Sequence, residues 1–272
     1  MVGNTYNVAA TSSLSVALTI RPAETILIFG GHGRTAQALA RQLVARSHTV
    51  YSLIRSVSQI PDIERLGAQP IVQDLEHADI LTLTNIIDHT GATVLIWAAQ
   101  GTYGVPGSPE RVDHQAAIRT YFAAAASKVG KRVIVISALD VRDRSRPTPS
   151  WYAKKERNGS ERLWQALGPY MEAKLASDRF LVTNGRHSGL KYTILRPAGL
   201  LDVEKAEGTV FAGRVHWDRN VSRGDVAAVI VSCIENNGTE NLAFDVIGGD
   251  AKIDTEIGYV ARNREDCFNG YY

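Results

Sequence analysis

Cysteine is scarce in this chain: Cys233 and Cys267 are its only two, far apart and in no C-x-x-C arrangement. That excludes a disulfide framework and a zinc site built on paired cysteines, and it fits a reducing cytoplasm. The seven histidines are scattered, so no metal-ligand cluster is expected. No stretch reaches the roughly 20 apolar residues that span a bilayer. The richest, Ala116 to Ala126, is interrupted by Arg119. Charge of one sign is also lacking, since 30 Lys and Arg face 28 Asp and Glu for a net +2. Without a dense basic stripe, neither a nucleic-acid nor a membrane partner is expected. Met1 to Ala23 hold no Lys or Arg before Arg21 and no unbroken apolar core, the two features a secretory signal needs. Residues 1–24 are expected to be a loose extension in which Val16 to Ile20 can pair as a strand. Internal repeats and low-complexity tracts are absent.

What is present is ordinary globular material, 44% apolar and 21% charged, enough for a sizeable core. Short apolar runs alternate with helix-length segments. Thr25–Phe29, Thr49–Ile54, Gln69–Val72, Thr93–Trp97, Arg132–Ile136, Lys191–Leu195 and Leu242–Ile247 are predicted strands. Arg34–Arg46, Ile80–Asp88, Arg111–Val129 (closed by Gly130), Ser160 to about His187 (broken at Gly168-Pro169) and Asp225–Ile234 are predicted helices. Strands apolar on both faces and separated by helices require a buried parallel sheet. The expectation is one α/β domain over residues 25–272, a doubly wound, mostly parallel Rossmann-type sheet with helices on both faces. Asp140 to Gly159, rich in Arg, Pro and Ser, is expected as a surface loop. Residues 198–222 have no clear period and are expected to form a small segment covering the substrate; the tail after Asp250 is weakly patterned.

Between the first strand and first helix stands Gly30-Gly31-His32-Gly33-Arg34-Thr35-Ala36, which from Gly31 is G-x-G-x-x-A. In this context the pattern is a dinucleotide fingerprint. Gly31 is expected to permit the tight turn, Gly33 to admit a pyrophosphate, and Ala36 to let helix and sheet approach. The helix N-terminus then faces the diphosphate. After the second strand, where NAD binders place an acidic residue, stands Arg55-Ser56. An Arg there suits a 2′-phosphate, with Ser56 as a donor and Arg34 as a second clamp. NADP is therefore expected over NAD. Asp74-Leu75 and Ala98-Ala99-Gln100 end the third and fourth strands, at the carboxyl edge where such sheets bind ligands. Asp74 is placed to reach the adenine amino group.

Tyr170 and Lys174 are four apart in a helix and share one face. Ser137 follows the fifth strand over the same edge. Together they can reduce a carbonyl: Tyr170 donates the proton, Lys174 lowers the phenol pKa and holds the nicotinamide ribose, and Ser137 hydrogen-bonds the substrate oxygen. Tyr103, Phe211, His216 and Trp217 are expected to supply the surface for a ligand of modest size.

These motifs, with Tyr192-Thr193-Ile194-Leu195-Arg196-Pro197, Ser222-Arg223-Gly224-Asp225-Val226-Ala227 and Phe244-Asp245-Val246, resemble the atypical short-chain dehydrogenase/reductases. The resemblance is to the NmrA-like and biliverdin-reductase-B-like NAD(P)H-binding group, and it covers about Thr25 to Gly249. It implies a Rossmann core, NADP(H), and nicotinamide packed near Pro197 and Leu200. The implied activity is NADP(H)-dependent reduction of a small carbonyl, imine, quinone or conjugated olefin, by a monomer or homodimer. A redox-silent NADP(H)-binding regulatory protein, or a non-redox cyclase or isomerase on the same scaffold, is the alternative.

Overall fold

The computed structural model describes residues 22–272 apart from Tyr103. The N-terminal segment up to Arg21, with its expected Val16–Ile20 strand, and the expected ligand contact of Tyr103 lie outside the described residues.

The sheet grows outward from β1 (Thr25–Phe29). On one side it pairs in parallel with β2 (Thr49–Ile54), which pairs with β3 (Gln69–Val72). On the other side follow β4 (Val94–Trp97), β5 (Arg132–Ile136), β6 (Lys191–Pro197) and β10 (Leu242–Gly248), all parallel. Two short strands, β8 (Thr209–Gly213) and β11 (Ala251–Lys252), extend that edge antiparallel. The order β3-β2-β1-β4-β5-β6-β10 reverses direction at β1 and β4, and that switch point is where open α/β sheets hold ligands.

Alternation along β1 feeds both layers. Ile26 and Ile28 join one apolar core, while Leu27 and Phe29 join the other. The first layer is made by α1 (Arg34–Val44), α2 (Ile60–Arg65), α6 (Arg223–Glu235) and α7 (Ile253–Asn263). Ala36, Leu39, Ala40 and Leu43 are buried on one face of α1, at helical spacing. The second layer is α3 (Ile80–Thr90), α4 (Ala117–Ala126) and α5 (Lys154–Asn184). Asp79 caps α3 by accepting from the Thr82 N–H at 2.7 Å, and Gly91 ends it at φ 63°.

Several expectations are corrected. The Arg111–Val129 helix begins as a π-helical turn over Glu110–Ala116 and ends at Ala126, before Gly130. Gly130 instead packs against Ile87, where an added Cβ would lie 2.6 Å from the Ile87 side chain. The segment 140–159 is a surface loop only in part: residues 144–147 are exposed, but its two ends are not loop surface. Asp140 and Arg142 are buried as a 2.9 Å ion pair, the Trp164 indole donates to Asp140 at 3.1 Å, and α5 starts at Lys154. The expected break at Gly168-Pro169 is a kink inside α5, where Leu167 leaves the helical region. The covering segment 198–222 contributes β7 (Leu200–Leu201) and β9 (Val221–Ser222), which pair with each other, and β8 within the main sheet. The tail holds α7, whose Ile253, Ile257 and Val260 are buried.

Candidate active site

The loops after β1 through β6 line two cavities at the carboxyl edge of the sheet. The smaller, about 430 Å³, contains Gly30, His32, Gly33, Arg34, Thr35, Arg55, Asp74, Leu75, Ala98, Ala99 and Gln100. The larger, about 1110 Å³, contains Ser137, Tyr170, Pro197 and Trp217. Gln100, Leu200 and Arg223 line both, so the cavities meet at these three residues.

The glycines divide the work differently from expectation. Gly30, not Gly31, takes the left-handed conformation (φ 80°), and a Cβ there would lie 2.5 Å from the Ala99 Cα. Gly31 supplies close packing, since its Cβ would lie 2.5 Å from that of Ser52. Gly33 begins α1 with no side-chain cap and no acidic residue in the first turn. An uncapped helix start in a cavity suits an anion, and these residues fit the diphosphate of a dinucleotide. His32 is held at 2.8 Å from Asp62, and its carbonyl accepts from Gln37.

Arg55 is exposed on the cavity wall. Ser56 is not in that wall; its hydroxyl caps the turn at residues 57–59 and bonds Ser58. Asp74 accepts from the Glu76 N–H and from His77. Burial works to raise its pKa, but these bonds and the Arg55 charge hold it below the ordinary value. Arg34 is paired with Asp202.

Tyr170 and Ser137 face the same cavity. Lys174 lies behind them, with Nζ 5.2 Å from the centre of the Tyr170 ring. It bonds Asp113 at 3.1 Å and the Ile136 carbonyl at 3.1 Å, and it lines neither cavity. Lys174, expected to hold the nicotinamide ribose, is thus buried against Asp113 rather than open to either cavity. Burial works against its charge, but Tyr170, Asp113 and Asp178 outweigh that and keep its pKa above the ordinary lysine value. The phenol also departs from expectation. Burial raises the Tyr170 pKa, and the opposing charge of Lys174 does not overcome it. Ser137 donates its hydroxyl proton to Asp178, so it is not free to donate to a substrate oxygen. Asp178 is pushed up to about 6 by burial, against the pull of Ser137, Lys174 and Arg196.

Of the expected ligand surface among the described residues, only Trp217 lines the larger cavity. Phe211 lies in β8 beneath the Arg219 guanidinium, and His216 points outward with Nδ1 3.3 Å from Glu156. The cavity is also larger than the modest ligand expected, exceeding the usual upper bound of about 1000 Å³ for small-molecule pockets. Asp178 stands one turn past Lys174, so helical spacing could have found it; Asp113 and Arg223 carry no local signal of their contacts.

A parallel sheet with a glycine turn, an uncapped helix and a cavity at its switch point defines a nicotinamide-dinucleotide-binding Rossmann protein. Residues 30–237 match the NAD(P)H-binding domain family. The chain belongs to that family, among the atypical, NmrA-like short-chain dehydrogenase/reductases. A UPF0659 protein of Schizosaccharomyces pombe is 33% identical over 240 residues, covering 87% of this chain and 95% of that protein. A Bacillus subtilis protein named as an uncharacterized sugar epimerase, YhfK, is 30% identical over 233 residues, covering 84% and 96%. Among solved structures, the oxidoreductase ylbE of Lactococcus lactis superposes with a TM-score of 0.70 at 22% identity, covering 88% of this chain and 97% of that one. An anaerobillin reductase of Escherichia coli, ChuY, gives a TM-score of 0.64 at 22% identity, covering 84% and 98%. At these identities the two structures show the shared fold. Among the described residues no helix is long and apolar enough to cross a membrane.

Proposed function

We propose that the protein is an NADP(H)-dependent oxidoreductase that reduces a carbonyl, imine, quinone or conjugated olefin. The observation that carries this reading is the junction of the two cavities, which joins the glycine turn to the chamber holding Tyr170. NADP is favoured over NAD because β2 is followed directly by Arg55, an exposed cation on the wall, where an NAD site holds a carboxylate.

The dinucleotide, when bound, supplies hydride to an electrophilic carbon. Tyr170 supplies the proton at the substrate heteroatom, and burial keeps its phenol protonated through neutral pH. Lys174 stabilises the phenolate left behind, and Asp113 fixes the ammonium under the ring. Ser137 donates its hydroxyl proton to Asp178 and so presents an oxygen that accepts from a donor on the ligand. Leu163, Leu167, Met171 and Trp217 give the chamber apolar surface that favours an apolar ligand body.

Incubation with NADPH deuterated at nicotinamide C4, in both hydride positions, together with a metabolite extract is the direct test. Protein-dependent appearance of deuterium in a metabolite, followed by mass spectrometry, is the expected result. Tight NADPH binding with no labelled product would replace this reading with the redox-silent or the cyclase and isomerase alternative.

A further inference from the structure

Asp202, just after β7, bridges two arginines from different helices. One of its oxygens pairs with Arg34, the first residue of α1, and the other lies 3.0 Å from Nη2 of Arg223, the first residue of α6. The two arginines are not alike. Arg34 is well exposed, whereas the Arg223 side chain is only 13% exposed. Its Nε and Nη1 are shut off from solvent and have no hydrogen-bond partner. A guanidinium offers five donors in a rigid fork, and leaving buried donors idle is unfavourable. Arg223 also stands where the two cavities meet.

We infer that Arg34 and Arg223 form an oxyanion clamp for the dinucleotide diphosphate, and that Asp202 occupies this clamp as an internal competitor in the nucleotide-free protein. The inference rests on the proposed nucleotide site. The diphosphate is the anion favoured, because Arg34 belongs to the glycine turn and lines only the smaller cavity. A carboxylate shared by two guanidinium groups copies what a phosphate does there. Once a phosphate arrives, Asp202 becomes a like charge beside it and is driven off. The loop does not depend on Asp202 to stay folded. Gly224 N–H still donates to the Val203 carbonyl at 3.0 Å, Gly208 N–H to Asp225 at 2.8 Å, and Arg41 pairs with Glu204 at 3.0 Å.

The test is titration of NADPH into the full-length protein by calorimetry, at roughly 20 mM and 200 mM NaCl. Asp202→Asn is expected to tighten NADPH about three- to tenfold at low salt, with a smaller gain at high salt. Asp202→Ser should shift affinity in the same direction. Arg223→Gln is expected to weaken binding about tenfold or more, and Arg223→Lys by less. If the parent protein binds neither NADPH nor NADH, the nucleotide reading itself fails. If it binds NADPH and both Asp202 variants bind equally or more weakly, the clamp alone is overturned.

Discussion

Lys174 and Asp113 form an ion pair out of contact with water: the two groups are 3.1 Å apart and their side chains are 4% and 0% exposed. The second oxygen of Asp113 accepts from the Gly101 N–H at 2.7 Å. One carboxylate therefore fixes both the Tyr170-bearing helix and the loop after β4. Removing one partner leaves an uncompensated buried charge, which costs far more than the net worth of the pair. Asp113→Ala is expected to lower unfolding stability by about 3–5 kcal/mol in urea denaturation. Adding Lys174→Met should recover part of that loss. A loss below about 1 kcal/mol in the single variant would show that Lys174 is satisfied without Asp113.

Asp178 governs a second response. Burial pushes it up to about 6 from its ordinary 3.8, with Asp113 reinforcing the rise and Ser137, Lys174 and Arg196 opposing it. Between those two values the native state binds more protons than the unfolded chain. Stability therefore falls as pH rises through that window, and the penalty is complete above it. Asp178→Asn removes this share and keeps an acceptor for Ser137. Its stability relative to the parent should be higher at about pH 7 than at about pH 4, by a difference on the order of 2–3 kcal/mol. An equal difference at both pH values would show that Asp178 ionises normally. Asp245, also pushed up to about 6 by burial, remains in both proteins and cancels in the comparison.

The parallel sheet and the glycine turn are legible because each leaves a local mark. A strand buried on both faces reads as a near-continuous apolar run, as in Ile26–Phe29 of β1 and Val133–Ile136 of β5, and a chain turning against Ala99 and Ser52 must omit its Cβ atoms. The Tyr170–Lys174 spacing marks a shared helical face in the same way. What is not legible depends on distant partners. Asp140 and Arg142 look like a solvated charge run until Ser160 and Trp164 close over them. Asp113 meets Lys174 only through the packing of two separate helices. Short strand β8, which lies between β11 and β10, is flanked by glycines and charges, so its period is faint. α7 is a different case, since Ile253, Ile257 and Val260 already stand at helical spacing.

In the proposed reading, Arg55 meets the 2′ position of the dinucleotide. It is exposed, so its loss should leave the fold intact. A charge-assisted pair with a 2′-phosphate contributes about 1.5–3 kcal/mol. Arg55→Ala is therefore expected to weaken NADPH binding about tenfold or more and to leave NADH within about threefold. Equal losses for both nucleotides would place Arg55 away from the 2′-phosphate and would remove the ground for preferring NADP.

Tyr170→Phe separates chemistry from binding. The phenyl ring keeps its packing in α5 and its contact with the Lys174 ammonium, now 5.2 Å from the ring centre. The Lys174–Asp113 pair is untouched, and the glycine turn lies in the other cavity. Only the hydroxyl is lost, together with its interaction with Lys174. A positioned general acid contributes about 10²- to 10⁴-fold. Turnover of the substrate found by deuterium transfer should fall by about that factor, while NADPH affinity stays within about threefold. A fall in kcat together with a matching rise in the NADPH Kd would mean that the hydroxyl positions the nucleotide. Unchanged turnover would remove Tyr170 from the proton transfer, and the donor would then have to be sought among the other polar groups of the larger cavity.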